Sequence, residues 1–225
     1  MTQMMGASVN FENYDGFWNA DGIYTNDPPD SDLNQYRLNV GYAHRLAPNW
    51  QANVVAPYVF NDNKYTGIES STNGLGDITA NLWYEAFDEI MCVYQVRDWQ
   101  DLKPAVYLGA SLTQPTGISP YSDDVTNSFD ITGRGFYRLD ANFLADKTIW
   151  PWTMIFELTY GVYLERPVNQ EYGKYVEPYD KQLGNRRQAL VSLGYTDFWD
   201  SLASMTYTLA YTDLKEDQGT INGST

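Results

Sequence analysis

The amino-acid sequence predicts an all-β chain: an antiparallel transmembrane β-barrel of about ten strands. Three observations carry this. Nine segments alternate apolar and polar residues with a period of two, the pattern of a strand with one apolar and one polar face. Most of these segments read longer than the roughly five or six residues usual in soluble sheets, and close to the ~9–11 tilted residues that cross a bilayer. Aromatic residues reach 16%, with 19 Tyr, 9 Phe and 7 Trp, and they gather near strand ends, where a barrel meets lipid headgroups.

The elements follow in order. Ala7, Val9 and Phe11 alternate with Ser8, Asn10 and Glu12 in a weak first strand. Tyr36, Leu38, Val40 and Tyr42 then oppose Arg37, Asn39, Gly41 and Ala43. Trp50, Ala52, Val54, Ala56, Tyr58 and Phe60 form the third apolar face. Ile78, Ala80, Leu82 and Tyr84 alternate with Asp77, Thr79, Asn81, Trp83 and Glu85. Val106, Leu108, Ala110 and Leu112 alternate with Tyr107, Gly109, Ser111 and Thr113. Tyr137, Leu139, Ala141 and Phe143 oppose Arg138, Asp140 and Asn142. Trp152, Met154, Phe156, Leu158 and Tyr160 oppose Thr153, Glu157, Thr159 and Gly161. Ala189, Val191, Leu193 and Tyr195 oppose Gln188, Ser192 and Gly194, and the last apolar face is Met205, Tyr207, Leu209 and Tyr211.

Short turns are expected at Ala47-Pro48-Asn49, at Asp146-Lys147-Thr148 and at 196–200. Long polar loops are expected near 15–33, 61–75, 114–130 and 165–185. This alternation of short and long connections is that of outer-membrane barrels, so residues 1–225 read as a single barrel domain. Segment 88–103, with Met91, Cys92 and Trp99, reads as an irregular turn or a strand extension. Parity is unresolved, because single-chain bacterial barrels have even strand numbers and nine are read here. A tenth strand either lies within 12–35, where Phe17-Trp18-Asn19-Ala20 with Ile23-Tyr24 is the candidate, or comes from outside the chain.

Composition removes several function classes. The net charge of −15 argues against nucleic acid, whose phosphates need clustered Lys and Arg. One cysteine, Cys92, makes no internal disulfide and no cysteine metal cluster. The single histidine, His44, is the one side chain suited to base catalysis near neutral pH, and alternation puts it beside Tyr42 on the apolar face. No apolar run is long enough for a transmembrane helix. The expectation is no enzyme, no cofactor and no metal site.

The run Gly74-Leu75-Gly76-Asp77-Ile78 opens a strand after a polar loop. Around it lie Leu46-Ala47-Pro48-Asn49-Trp50, Ala56-Pro57-Tyr58, Gln114-Pro115-Thr116-Gly117 and Thr132-Gly133-Arg134-Gly135. Over most of 33–212 this order resembles the outer-membrane family named for the MetA pathway of phenol degradation, a set of porin-like transporters. It is more distantly similar to channels of the long-chain fatty-acid transporter type. The resemblance implies a barrel in the outer membrane of a Gram-negative bacterium, and uptake.

The polar faces carry the candidate lumen residues Arg37, Asp77, Glu85, Arg134, Arg138, Asp140 and Glu157, together with Glu12 and Arg45. They read either as a charge ladder setting pore selectivity or as a narrow interior filled with paired charges. Arg138 and Asp140, two apart on one face, are expected near mid-height. The loop acids Asp15, Asp21, Asp27, Asp30, Asp32, Asp123, Asp124 and Asp130 read as Ca²⁺ ligands or as solvated surface facing lipopolysaccharide. Tyr121, Tyr172, Tyr175 and Tyr179 read as an aromatic mouth for a solute or as packing between loops. The expected function is a passive channel or transporter for small solutes, aromatic or apolar ones among them. The alternative is a plugged structural or interaction barrel, one subunit of a larger envelope assembly. Expected partners are outer-membrane lipid and lipopolysaccharide, a small-molecule solute, and a protein at an open barrel edge.

Overall fold

A computed structural model of the chain describes residues 2–18, 23–87, 92–123, 125–200 and 203–224. Strand β1 (Gln3–Tyr14) is followed by a small hairpin, β2 (Gly16–Trp18) with β3 (Tyr24–Asn26). Then come β4 (Asp32–Ala47), β5 (Trp50–Tyr65), β6 (Ile68–Leu75), β7 (Ile78–Phe87), β8 (Cys92–Val93), β9 (Ala105–Gln114) and β10 (Arg138–Ile149). The second half holds β11 (Trp152–Tyr163), β12 (Arg166–Glu171), β13 (Lys174–Gln182), β14 (Arg186–Asp200), β15 (Ala203–Glu216) and β16 (Thr220–Ile221).

Nine of these make the wall, in the order β1-β4-β5-β7-β9-β10-β11-β14-β15, and every neighbouring pair in it is antiparallel. They correspond one for one to the nine alternating segments of the sequence. Among the described residues β1 pairs in this sheet only with β4, and β15 only with β14, so the curled sheet has two open edges.

Period-two alternation becomes two unlike faces. On β11, Trp152, Met154, Phe156, Leu158 and Tyr160 are exposed, while Thr153, Ile155, Glu157 and Thr159 are half-buried. On β4, Tyr36, Leu38, Val40 and Tyr42 are exposed, and Arg37, Asn39 and Gly41 are less so. Only eight apolar residues among those described are buried. The molecule is inside-out relative to a soluble sheet protein, which rarely shows a contiguous apolar patch beyond a few hundred Å². Among the described residues no helix is long and apolar enough to cross a membrane, which says nothing of a β-barrel, since barrels cross with strands.

Several connections differ from expectation. The turn expected at Asp146-Lys147-Thr148 is strand: β10 runs on to Ile149 and the chain turns at Trp150-Pro151. Residues 196–200 likewise continue β14, paired with β15 as far as Asp200↔Ala203. Alternation stops at these strand ends, but backbone pairing does not. The 61–75 connection is a hairpin, with β5 and β6 in register from Tyr58↔Leu75 to Tyr65↔Ile68. In segment 88–103, Met91 lies outside the described residues, β8 pairs parallel with the end of β10, and Gln100–Leu102 form a single 3₁₀ turn. The tenth-strand candidate does not join the wall: Gly16–Trp18 pairs only with Tyr24–Asn26, and Asn19 and Ala20 lie outside the described residues.

Candidate functional site

The polar face of the curled sheet is the candidate site, and an uncharged hydrogen-bonded row crosses it, with the half-buried Glu157 two residues along β11 from the row's last member, Thr159. Five neighbouring strands each contribute one residue to a hydrogen-bonded chain. Asn81 Nδ2 donates to Asn53 Oδ1 at 2.6 Å, and Ser111 Oγ donates to Asn81 Oδ1 at 2.5 Å. Asn142 Nδ2 donates to Ser111 Oγ at 2.5 Å, and Thr159 Oγ1 donates to Asn142 Oδ1 at 3.0 Å. One level away, the Thr79 and Thr113 hydroxyls lie 3.0 Å apart. The register explains the row: Asn53↔Asn81, Asn81↔Ser111 and Asn142↔Thr159 are direct cross-strand partners, whose Cβ atoms stand about 5 Å apart. The sequence reading missed this ladder, although its members all sit in the polar registers of the alternation.

One cluster of charges lies at the long-loop end. Arg138 Nε meets Asp140 Oδ1 at 2.7 Å, and its Nη2 meets Oδ2 at 3.0 Å, a two-pronged pair. Asp140 is deeply buried, its side chain only 3% exposed. The two residues lie at the start of β10, where Asp140 is the cross-strand partner of Ser111 in the ladder. Gly161 lies opposite Asp140, and a Cβ there would collide with the Asp140 carboxylate, so only glycine leaves room for the pair. Arg134 Nη1 donates to Glu216 Oε2 at 2.6 Å and to the Tyr163 hydroxyl at 3.0 Å. Burial pulls the Arg134 pKa down, but its bonds to Glu216 and Tyr163 outweigh this and hold it above its ordinary value. Both Arg134 and Arg138 lie over the Tyr163 ring, 5.8 and 5.6 Å from its centre.

Asp77 is not a free lumen charge. Its Oδ1 accepts the Gly117 N–H at 3.1 Å and its Oδ2 the Arg134 N–H at 2.7 Å. Thr116 Oγ1 donates to the Gly76 carbonyl and Thr132 Oγ1 to the Leu75 carbonyl, both at 2.6 Å. Asn61 and Asn63, buried on β5, donate to the Ile131 and Phe129 carbonyls at 3.0 Å. Thr72 donates to Asp130 at 2.6 Å, and Ser70 donates to the same oxygen. The 115–137 connection is thereby folded inward against β5, β6 and β7. On its far side it meets β12–β13, where the Tyr172 N–H donates to the Pro120 carbonyl at 2.7 Å.

The other expected residues are spread out. Arg37 is half-buried on β4 and donates to Gln35 Oε1 at 2.8 Å. Glu85 is at the opposite, short-turn end, 3.5 Å from the Tyr107 hydroxyl and lining a cavity of about 540 Å³ with Arg45, Trp83 and Asp146. Arg45 is turned to the Pro48 carbonyl, 2.9 Å from Nε. Glu157 faces Leu144 and Leu190 in register and makes no hydrogen bond or ion pair among the described residues. Glu12 accepts the Tyr14 hydroxyl on the edge strand. Arg186, which the sequence reading left out of its site, belongs to the cluster: it pairs in register with Gly161 and Glu216. His44 sits on the apolar face, its ring stacked on Tyr42 at 6.5 Å.

Of the loop tyrosines, Tyr121 lies beneath Arg166 and Lys181, at 4.9 and 5.6 Å, and against Phe136. Tyr179 donates to Glu171, and burial followed by that bond raises its pKa above the ordinary value. Tyr175 is exposed. Among the loop acids, Asp21 and Asp124 lie outside the described residues, and no group of three metal-ligating side chains forms among those described.

The fold is similar to that of a solved structure, an outer membrane channel from Pseudomonas putida F1. The TM-score is 0.65 at 13% identity, covering 99% of this chain and 76% of that one. The likeness places this chain in an outer-membrane channel type of fold. No protein-family model matches the chain, and no curated protein matches its sequence. The resemblance to the phenol-degradation family rests on its short motifs, and in the structure those motifs meet: Leu75, Gly76 and Asp77 bind Thr116, Gly117, Thr132 and Arg134.

Proposed function

We propose that the chain forms the wall of a passive outer-membrane channel for small solutes, constricted at its long-loop end by the inward 115–137 segment. The observation that carries this reading is the division of the sheet into an exposed apolar face and a hydrogen-bonded polar one. A polar wall lowers the cost of passage for a hydrated solute, because its donors and acceptors replace lost water. The fold likeness to an outer membrane channel supports the same reading. The amide ladder favours polar solutes over the aromatic or apolar ones included in the expectation from the sequence. The long loops would then face outward and the short turns the periplasm.

Thiol labelling in proteoliposomes tests the two faces. In a Cys92→Ser background, Asn81→Cys should react with a charged, membrane-impermeant reagent, and Leu82→Cys should react only with a lipophilic one. Equal reaction of both with the charged reagent would sink the reading.

The open edges favour a second reading. β1 and β15 are long, and each has one side unpaired among the described residues, a template for another strand. In that reading the chain is a subunit whose barrel is completed by a partner. The mass of the detergent-extracted particle separates the two: the subunit reading requires more than one chain.

A further inference from the structure

Among the described residues, two arginines at the long-loop end have neither a carboxylate partner nor an acceptor for Nε. Arg37 donates to the neutral Gln35 Oε1 and Arg186 to the neutral Gln188 Oε1, each at 2.8 Å. The Nε of each is shielded from solvent and has no acceptor among the described residues. An N–H buried without an acceptor is destabilising, the more so on a charged group. The neighbouring guanidiniums differ: Arg138 is taken by Asp140 and Arg134 by Glu216. Arg37 lines a cavity of about 460 Å³ together with Arg134, Phe136 and Glu216, and Arg186 is the cross-strand partner of Glu216. In a chain with net charge −15, this is a local excess of fixed positive charge with unused donors.

We infer that the long-loop mouth is a binding station for a small oxyanion, a carboxylate or phosphate group, with Arg37 and Arg186 as its unsatisfied donors. The planar guanidinium fork matches both groups, and each hydrogen bond to an anion is about twice as strong as a neutral one. Held weakly at the mouth, such a group is concentrated above the neutral ladder and then released along it. This inference deepens the channel reading by naming the class of solute.

The test titrates the folded protein in detergent with isotope-labelled acetate and, separately, with inorganic phosphate, following NMR line broadening of the ion. Saturable broadening is expected, with affinity weakened about tenfold in Arg186→Gln and in Arg37→Gln, the loss of one charge-assisted donor set. Arg186→Lys should fall between, keeping the charge and losing the fork. Arg187→Gln should match the parent protein, because Arg187 is exposed and already paired with Asp217 at 2.8 Å. Preference for acetate marks a carboxylate solute and preference for phosphate a phosphorylated one; either supports the station. Absence of saturable broadening, or equal affinity in every folded variant, overturns it. Should one variant fail to fold, the other arginine decides. Saturable binding in a protein that is silent in bilayers would defeat the channel reading alone; conductance without binding would defeat the station alone.

Discussion

Asp77 Oδ2 accepts the backbone N–H of Arg134 at 2.7 Å, across 57 residues of chain. With Oδ1 on the Gly117 N–H, one carboxylate at the start of a wall strand holds both ends of the inward loop. A Cβ at Gly133 would strike this carboxylate, so the glycine is part of the clamp.

Asp77→Ala should therefore loosen the 115–137 segment without unzipping the wall. Two backbone donors lose their acceptor, a cost of about 1–3 kcal/mol carried by the loop alone. The expected outcome is a larger and noisier single-channel conductance with unchanged heat-modifiable migration. Unchanged conductance would show that the segment does not narrow the path.

Arg138→Ala should be strongly destabilising. It leaves Asp140 buried without its partner, which costs about 3–5 kcal/mol. Replacing both by leucine should recover much of the loss, since a buried pair often gains little over apolar packing. Denaturant unfolding in detergent checks the order: single variant least stable, double variant restored. A single variant as stable as the parent would mean Asp140 is hydrated.

Asn142→Ala removes the fourth of the five ladder residues and leaves Ser111 and Thr159 each short of a partner. A loss of about 1–3 kcal/mol is expected in the same unfolding assay. Asn39→Ala, near the β1 edge and with its side chain bonded, among the described residues, to Ser8 at 3.3 Å, should cost under about 1 kcal/mol.

The β12–β13 hairpin should respond to alkaline pH. Tyr179 has a raised pKa in the folded hairpin, from burial and its bond to Glu171. Its stabilising contribution is complete below about pH 10, the ordinary phenol value, and is lost as pH rises through the elevated one. Phenolate absorbance during an alkaline titration should show one fewer late-titrating tyrosine in Tyr179→Phe than in the parent protein. An unchanged titration would contradict the assignment.

Much of the wall was legible in the sequence, because alternation is local and each strand carries its own. Tyr36 to Tyr42 and Trp152 to Tyr160 declare their faces without help from neighbours. The turns were less legible: Lys147 and Phe198 break the pattern of faces while still pairing with Met154 and Ser204. The site was legible only in part. Arg138 and Asp140 share a strand, so their pairing could be read, whereas Asp77 meets Arg134 through contacts far apart in the chain. Arg186 was missed because it precedes the first apolar residue of its strand and looks like the end of a loop. The amide ladder was missed because each member is an ordinary polar residue until the register puts them side by side.

The most direct measurement is single-channel recording of the detergent-purified protein in a planar bilayer, with ion selectivity read from the reversal potential. The account predicts discrete conductance steps and a preference for anions that weakens when Arg186 is replaced by Gln. A correctly folded protein that inserts and stays silent would contradict it.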